Sequence, residues 1–303
     1  MSLGLGLRML LKMFGLFNIN KPAGITSHDV VFRVRKMLPR RVKVGHAGTL
    51  DPFASGVLVI LVGGATRLAS FVQTKDKRYL AGITLGAFSD TDDTESPPKP
   101  VASAHAPDEN RVKEALSHFV GTIMQRPPAH SAISVGGFRA YKLAREGQAL
   151  DLPPREVKIH TLDIVKYAYP SLIIDIRCGS GTYVRSLARD IGTELGVGGY
   201  CSSLTRTAVG DFTVENAVDL EDFVPERHLI DAREAVVGLN VVELDSAEVE
   251  NIILGRWVSK EGAAPSEMSA LLGPGGRLVA IGKVSEEGTV RPRMVLMKPG
   301  AAQ

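Results

Sequence analysis

Asp51 ends a glycine-rich segment whose composition suits a ligand-binding loop. The segment runs Gly45-His46-Ala47-Gly48-Thr49-Leu50-Asp51-Pro52, and its two glycines let the backbone turn sharply and approach a ligand closely. Pro52 biases Asp51 toward an extended conformation, which can hold the carboxylate outward. Such a carboxylate can act as a nucleophile or a base toward a bound substrate. Asp-Pro also initiates ordinary turns, so the pair alone leaves a structural role open.

The segment belongs to a series of motifs that resembles one enzyme family. GHAGTLDPFASGVLVILVGGATR (45–67) resembles the nucleophile motif of the TruB family of tRNA pseudouridine synthases. The other motifs, in family order, are KPAGITS (21–27), KRYLAGITLGAFSDTDD (77–93), QRPPAHSAISVGGFRAYKLAREG (125–147), GSGTYVRSLARDIG (179–192) and SLTRTAVGDF (203–212). The chain is identified as a member of that family. His130, where the family usually has another residue, is a departure.

The resemblance implies a reaction without redox chemistry. Enzymes of this family cut the N1–C1′ bond of a uridine, turn the uracil, and join its C5 to C1′. The implied substrate is uridine 55 in the T-loop of tRNA, with Asp51 as the catalytic carboxylate and no cofactor or metal. Attack at the sugar, attack at the base and proton abstraction from the ribose remain alternatives. Help with tRNA folding is an additional implied role.

Arg185 and Tyr79 are the other residues to which the resemblance assigns catalytic roles. Burial alone would raise the pKa of Asp51, and the resemblance pairs Arg185 with it. Four residues after Arg185 lies Arg189, a like charge, which favours an acidic partner elsewhere in the chain. Tyr79 is implied to stack on the flipped target base, since an aromatic face compensates for lost base stacking. Core packing is the alternative for Tyr79.

Further residues are implied to bind the substrate. His46 is expected to contact the RNA loop beside the flipped base. Tyr183, Lys21 and Leu204 align with residues that line the pocket, although Tyr183 and Leu204 would also suit a core. Phosphate contacts are predicted for a set of basic residues: Arg33, Arg40, Arg41, Lys43, Lys77 and Arg78.

Charge is distributed unevenly along the chain. The formal net charge is only +3, but residues 1–78 contain thirteen Lys and Arg against three Asp and Glu. Residues 211–250 contain two Arg against twelve Asp and Glu. A basic end on a nearly neutral protein suggests a polyanionic partner, and a solvated basic face is the alternative. The predicted partner is tRNA, through its T-loop and acceptor region, with no obligate protein partner and a monomeric chain.

Hydrophobic periodicity predicts an α+β fold. The family resemblance further implies the central mixed sheet of pseudouridine synthases and a small β-rich C-terminal module. Helices and strands occur without a regular βαβ alternation. Predicted helices are 27–38, 110–119, 138–146, 182–195 and 246–254. Predicted strands are 78–86, 157–167, 172–178, 277–284 and 291–297.

Three segments are predicted along the 303 residues. Residues 1–12 are expected to be a dispensable, disordered leader, with Met13 as an alternative start. Residues 13–235 form the predicted catalytic domain, and 238–303 resemble a PUA-like RNA-binding module. No apolar run is long enough to span a bilayer, and two cysteines are too few for a disulfide framework. These features predict a cytoplasmic protein.

Several alternatives remain at this point. Asp90, Asp92 and Asp93 resemble a metal cluster, but a solvated loop over 89–108 is the preferred interpretation. A guide-RNA-dependent relative that acts within a ribonucleoprotein is a second enzymatic hypothesis. A non-catalytic RNA-binding protein or tRNA folding chaperone is the rival from another class.

Overall fold

The computed structural model describes residues 13–102, 105–128 and 152–297, and the backbone of 134–135 and 138–139. In these residues twenty strands and six α-helices are numbered in chain order. The predicted leader lies outside the described residues.

Strands make up most of the regular structure. Their bounds are β1 Gly15–Lys21, β2 Val44–His46, β3 Ser55–Val62, β4 Lys77–Leu85, β5 Ala87–Phe88, β6 Lys99–Pro100, β7 Gly121–Gln125, β8 Ser134–Val135, β9 Phe138–Arg139, β10 Arg155–Ala168, β11 Ser171–Cys178, β12 Gly199–Val209, β13 Phe212–Thr213, β14 Val218–Asp219, β15 Ile230–Asp231, β16 Asn240–Glu243, β17 Val258–Ser259, β18 Ser266–Gly273, β19 Arg277–Val284 and β20 Thr289–Val295.

The helices are short and lie between the strands. They are α1 Ser27–Lys36, α2 Ala69–Gln73, α3 Glu109–Ser117, α4 Val184–Glu194, α5 Pro225–His228 and α6 Ser246–Ile253, with 3₁₀ turns at Gly63–Leu68, Ala232–Val236 and Pro274–Gly276. α1 begins with the predicted capping box, in which Thr26 and Asp29 bind each other's backbone amides.

The described residues form two large sheets and two two-stranded ones, β5-β6 and β8-β9. The described part of the larger sheet runs β14-β1-β3-β12-β4-β11-β10-β7, with β2, β13 and β15 paired to its members. β3 and β12 are parallel neighbours, whereas β12 and β4 are antiparallel, so the sheet is mixed. The smaller sheet runs β16-β18-β19-β20-β17. The predicted α+β class with a central mixed sheet and a small β-rich C-terminal part is confirmed.

β3 is buried on both of its faces, which explains its unbroken apolar sequence. Leu58 and Ile60 point into a core shared with α1 and α4. Val59 and Leu61 point to the opposite face and pack in a second core, to which Leu278 of the smaller sheet contributes. Helices therefore cover one face of the large sheet, and the C-terminal sheet packs against part of the other.

Some sequence predictions fail in the segments between the main elements. The helix predicted over 138–146 is wrong at its start, since Phe138–Arg139 pairs as a strand with Ser134–Val135; its remainder lies outside the described residues. The exposed loop predicted over 89–108 is also wrong in part. Asp92 and Asp93 are buried there, for the electrostatic reason given below.

Cys178 and Cys201 are both buried and not disulfide-bonded. Over the ranges that the structure describes, none of the helices combines the length and the apolar character needed to cross a membrane. The acidic stretch before the predicted C-terminal module contributes β14 and β15, and both pair with β1 of the large sheet.

Candidate active site

The loop that carries Asp51 lies between β2 and β3 and is anchored to the start of α1. The hydroxyl of Ser27 accepts a hydrogen bond from the amide of Leu50 at 2.8 Å and donates one to its carbonyl at 3.0 Å. The amide of Gly24 donates to the carbonyl of Pro52 at 2.8 Å. The residues on both sides of Asp51 are thus held by the KPAGITS segment, so its carboxylate occupies a defined position.

Arg206 supports the same loop from beneath. Its guanidinium donates to the carbonyls of Val57 at 2.8 Å and of Thr49 and Gly48 at 3.3 Å each. The backbone of Arg206 also lies close to Gly56, where a Cβ would be 2.2 Å from the Arg206 carbonyl oxygen and φ is +101°. Only glycine fits there without strain, which explains the glycine in the ASGV sequence after the Asp51 loop.

Arg185 contacts the Asp51 carboxylate through two nitrogens. Its Nε lies 2.9 Å from Oδ2 of Asp51, and its Nη2 donates to Oδ1 at 3.2 Å. The side chain of Arg185 is 5% exposed, whereas that of Asp51 is 33% exposed. The carboxylate can therefore meet a substrate, while the guanidinium stays behind it. This is the pairing that the family resemblance implies.

A second carboxylate holds the far side of the Arg185 guanidinium. Nη1 of Arg185 donates to Oδ2 of Asp93 and to the carbonyl of Thr91, both at 3.1 Å. Asp92 binds Arg189 at 2.8 Å in the same way. Arg185 is buried and Arg189 is half-buried. Cations removed from water need partners, so the two aspartates turn inward. The solvated-loop interpretation is wrong for them, and no metal-binding group of three or more acidic, histidine or cysteine side chains is found among the described residues.

Burial and charge act in opposite directions on Asp51. Desolvation raises the pKa of Asp51 above its ordinary value, and the positive charge of Arg185 opposes that shift. Burial also raises the pKa of Tyr79, so its hydroxyl stays protonated. The site therefore holds one carboxylate with a dedicated cation, beside a neutral aromatic ring.

A cavity of about 310 Å³ opens in front of the carboxylate. Tyr79 on β4, Leu204 on β12 and Tyr183 before α4 line it together with Asp51. Tyr79 is 9% exposed and also belongs to the sheet core, so the two interpretations of this residue are compatible. Flat aromatic and aliphatic walls beside one carboxylate suit a planar group with polar edges.

Lys21 was expected to line the pocket and does not, whereas the RNA contact expected of His46 stays a prediction. Lys21 is fully buried, and its ammonium donates to the carbonyls of Ile25, Pro22 and Pro52 at 2.7, 2.9 and 3.3 Å. Lys21 therefore supports the Asp51 loop from behind, and burial lowers its pKa to about 8. His46 lies at the end of β2 and is not among the residues that line the described cavity.

The basic residues predicted to contact phosphate fall into two groups. The exposed group is Arg33, Arg40, Arg41 and Lys43. Arg78 is exposed as well, but its guanidinium binds Asp175 on β11 at 2.7–3.1 Å. Lys77 lines the cavity, and burial lowers its pKa to about 8; its ammonium donates to the carbonyls of Gln73 and Lys75.

No role was predicted for Arg206 from the sequence, and Asp93 was predicted to lie in a solvated loop. Arg206 stands in the SLTRT motif and Asp93 in the SDTDD motif, so both lie inside the family-like segments. A buried arginine and a buried aspartate each require partners, but the sequence does not say which ones. For Arg206 a signal exists, because it is the single charged residue within a strand, Gly199–Val209. Asp93 stands in a polar run and gives no such signal.

Comparisons with known proteins identify the family of the chain. The family described as "TruB family pseudouridylate synthase (N terminal domain)" matches residues 35–184, and "tRNA pseudouridylate synthase B C-terminal domain" matches 185–246. A protein from Syntrophomonas wolfei named tRNA pseudouridine synthase B is 40% identical over 90% of this chain and 94% of its own length. Its namesake from Microcystis aeruginosa is 44% identical over 82% and 85%.

Solved structures show the same architecture. A Cbf5-Nop10-Gar1 complex superposes with a TM-score of 0.73 at 26% identity, covering 96% of this chain and 87% of the matched one. An H/ACA RNP bound to a substrate RNA containing 2′-deoxyuridine gives 0.72 at 25% identity, covering 97% and 88%. The fold and the two family matches define the chain as a pseudouridylate synthase. The chain belongs to the TruB family of pseudouridylate synthases.

Proposed function

We propose that the protein converts uridine 55 in the T-loop of tRNA to pseudouridine, with Asp51 as the catalytic carboxylate. The observation that carries the proposal is the Asp51–Arg185 ion pair, which faces a cavity walled by Tyr79 and Leu204. A flipped uracil would lie against Tyr79, which compensates for lost stacking. The relatives named tRNA pseudouridine synthase B supply the substrate class.

The chemistry is an isomerisation that needs no other reactant. The N1–C1′ bond breaks, the uracil turns, the C5–C1′ bond forms, C5 loses its proton, and N1 gains one. Asp51 serves as nucleophile or base in this sequence, and Arg185 stabilises its ionised form. The proposal holds for attack at the sugar, attack at the base or proton abstraction from the ribose.

The rest of the molecule is proposed to hold the tRNA. In this proposal 13–235 act as the catalytic domain, and 238–303 act as a PUA-like module toward the acceptor end. The exposed Arg33, Arg40 and Arg41 supply phosphate contacts. The chain is proposed to work as a monomer in the cytoplasm, without a guide RNA or a protein partner.

The direct test is release of tritium from a tRNA transcript labelled at uridine C5. Loss of the C5 hydrogen is intrinsic to the isomerisation, so the assay reports chemistry and not binding. Purified wild-type protein should release an amount of tritium equal to that carried by the T-loop uridine. The Asp51→Asn variant should release none. A transcript without a uridine at position 55 is the matched control.

Two outcomes would contradict the proposal. Release that persists after position 55 is changed would point to another uridine. A folded wild-type protein that binds tRNA but releases no tritium would favour the guided enzyme or the folding chaperone. A folding activity that survives in Asp51→Asn would show that the chaperone role is separate from catalysis.

A further inference from the structure

Gln125 is a buried polar residue at the end of β7, close to the catalytic helix. Only 1% of its surface is exposed. Its side-chain oxygen accepts from the amide of Tyr183 at 2.8 Å, and its side-chain nitrogen donates to the carbonyl of Tyr183 at 3.0 Å. A carboxamide carries a donor and an acceptor together, so one side chain holds both backbone groups of Tyr183.

Tyr183 is the residue at which α4 begins. It is the N-cap residue of that helix, and its own side chain makes no capping hydrogen bond. Helix starts without a cap tend to fray, because their first amides lack partners. Gln125 does not bind those amides, but it fixes the backbone of the residue at which the helix begins. Arg185 follows Tyr183 by two residues.

The cross-strand partner of Gln125 reinforces the same contact. Arg155 on β10 pairs with Gln125, and its guanidinium donates to the carbonyl of Gly181. The guanidinium carbon also lies 4.7 Å from the centre of the Tyr183 ring, within cation–π range. Gln125 holds the backbone of Tyr183, and Arg155 holds its ring and the preceding turn.

The residue after Gln125 contacts the helix as well. The carbonyl of Arg126 accepts from the hydroxyl of Ser186 at 2.9 Å and from Nη2 of Arg189 at 3.2 Å. The end of β7 is thus hydrogen-bonded to the first turns of α4 at Tyr183, Ser186 and Arg189. Arg185 lies between these contacts on the same helix.

We propose that Gln125 is a positioning residue of the active site, which fixes the start of α4 so that Arg185 meets Asp51 in the geometry required for reaction. The inference rests on the proposed function. Gln125 does not line the described cavity, so it acts through Tyr183 and Arg185 and not on the substrate. Small displacements of a positioned group can cost a large factor in rate.

Gln125→Met tests this, since methionine keeps the length of the side chain but removes its donor and acceptor. We expect the single-turnover rate at saturating tRNA to fall about 10- to 100-fold, with tRNA binding within about threefold of wild type. The acidic limb of the pH–rate profile should also move to higher pH. Arg185 lowers the pKa of Asp51, and a displaced Arg185 does so less.

Val157→Ala is the matched control for a merely structural effect. Val157 is buried on β10 and pairs with Ile123 of β7, two residues along the strand from Gln125. The substitution destabilises the same strand pair without touching Tyr183. We expect a lower Tm but a wild-type acidic limb and a single-turnover rate within about twofold of wild type. An equal rate loss in both variants at a matched drop in Tm would overturn the proposal.

Gln125→Glu provides a second readout in case the methionine variant does not fold. An ionised glutamate places an oxygen against the Tyr183 carbonyl, whereas the protonated form can donate to it as the amide did. The rate relative to wild type should therefore rise as pH falls. A ratio that does not change with pH, in a folded variant, would refute the positioning role. An inactive wild type would instead contradict the proposed function itself.

Discussion

In the ion pair of Asp51 and Arg185, the carboxylate is accessible from the cavity and the guanidinium is buried. Arg185 is held on its far side by Asp93 and Thr91, and its other edge faces Asp51. A cation placed this way stabilises the ionised carboxylate without occupying the cavity. The division between an accessible carboxylate and a buried guanidinium follows from these contacts.

Arg206 is the residue whose loss should disturb the Asp51 loop most directly. Arg206→Met removes three hydrogen bonds to backbone carbonyls, one of them fully buried. A hydrogen bond from a charged group contributes about 1.5–3 kcal/mol. We expect urea denaturation to show a loss of about 3 kcal/mol or more in the free energy of unfolding, accompanied by lower activity.

Arg177→Met is the control for this substitution. Arg177 is 62% exposed and lies 3.7 Å from Asp76, so its surface ion pair contributes less than about 1 kcal/mol. Equal destabilisation by the two variants would mean that the hydrogen bonds of Arg206 to the loop carry no special weight.

At the scale of elements, the segment 87–100 and α4 are joined by buried charges whose effect depends on pH. Burial raises the pKa of Asp92 from 3.8 to about 6. The native state therefore binds more protons than the unfolded chain between these values, and stability falls as pH rises through that window. The cost at pH 7 is at most about 3 kcal/mol, at 1.36 kcal/mol per pKa unit.

Asp92→Asn should remove that dependence. Because asparagine stays neutral and tolerates the φ of +60° found here, the variant should match wild type near pH 4 and be more stable near pH 7. Urea denaturation at the two pH values measures this. Asp90→Asn, at an exposed pair with Lys99, should stay within about 1 kcal/mol of wild type at both. A stability difference between Asp92→Asn and wild type that is the same at both pH values would contradict the argument.

Elements with a local signal are predictable from the sequence. The helix predicted over 27–38 is observed as Ser27–Lys36, and the strand predicted over 78–86 as Lys77–Leu85. Apolar periodicity and capping residues are local properties of a sequence, so they are visible without a fold. The segment 89–108 has the polar composition of a loop, and only its contact with α4 turns the aspartates inward.

The site is predictable to the extent that motifs carry it. Asp51, Tyr79 and Arg185 meet as the family resemblance implies, and their proposed roles stay predictions. Lys21 was expected to line the pocket and does not. Alignment gives the position of a residue along the chain but not the orientation of its side chain. The roles of Arg206 and Gln125 depend on backbone groups far along the chain, as in the 58-residue separation between Gln125 and Tyr183, which no local pattern reveals.

At the scale of the whole molecule, the basic N-terminal part should dominate binding of RNA. The slope of the logarithm of the binding constant against the logarithm of the salt concentration is negative. Removing one phosphate contact should make that slope less steep by about 0.7–0.9. The double substitution Arg40→Gln with Arg41→Gln should therefore make the slope less steep by about 1.4–1.8. Filter binding of tRNA across a range of salt concentrations measures it.

Arg78→Gln is the control for that measurement. The guanidinium of Arg78 already binds Asp175. Removing this guanidinium should therefore change the slope by less than about half of the change expected for one lost phosphate contact. A flat salt response of the wild type, or an equal change in the single control and the double variant, would show that the exposed arginines do not contact phosphate.

The order in which the sheet is assembled has a consequence for synthesis of the chain. Asp51 and Arg185 are 134 residues apart in the sequence. In the large sheet β12, which ends at Val209, lies between β3 and β4. Contacts of such long range form late in folding. Because synthesis starts at the N-terminus, the basic segment leaves the ribosome well before Arg185 and Arg206 do. We expect nascent chains to acquire affinity for RNA before they acquire any catalytic activity.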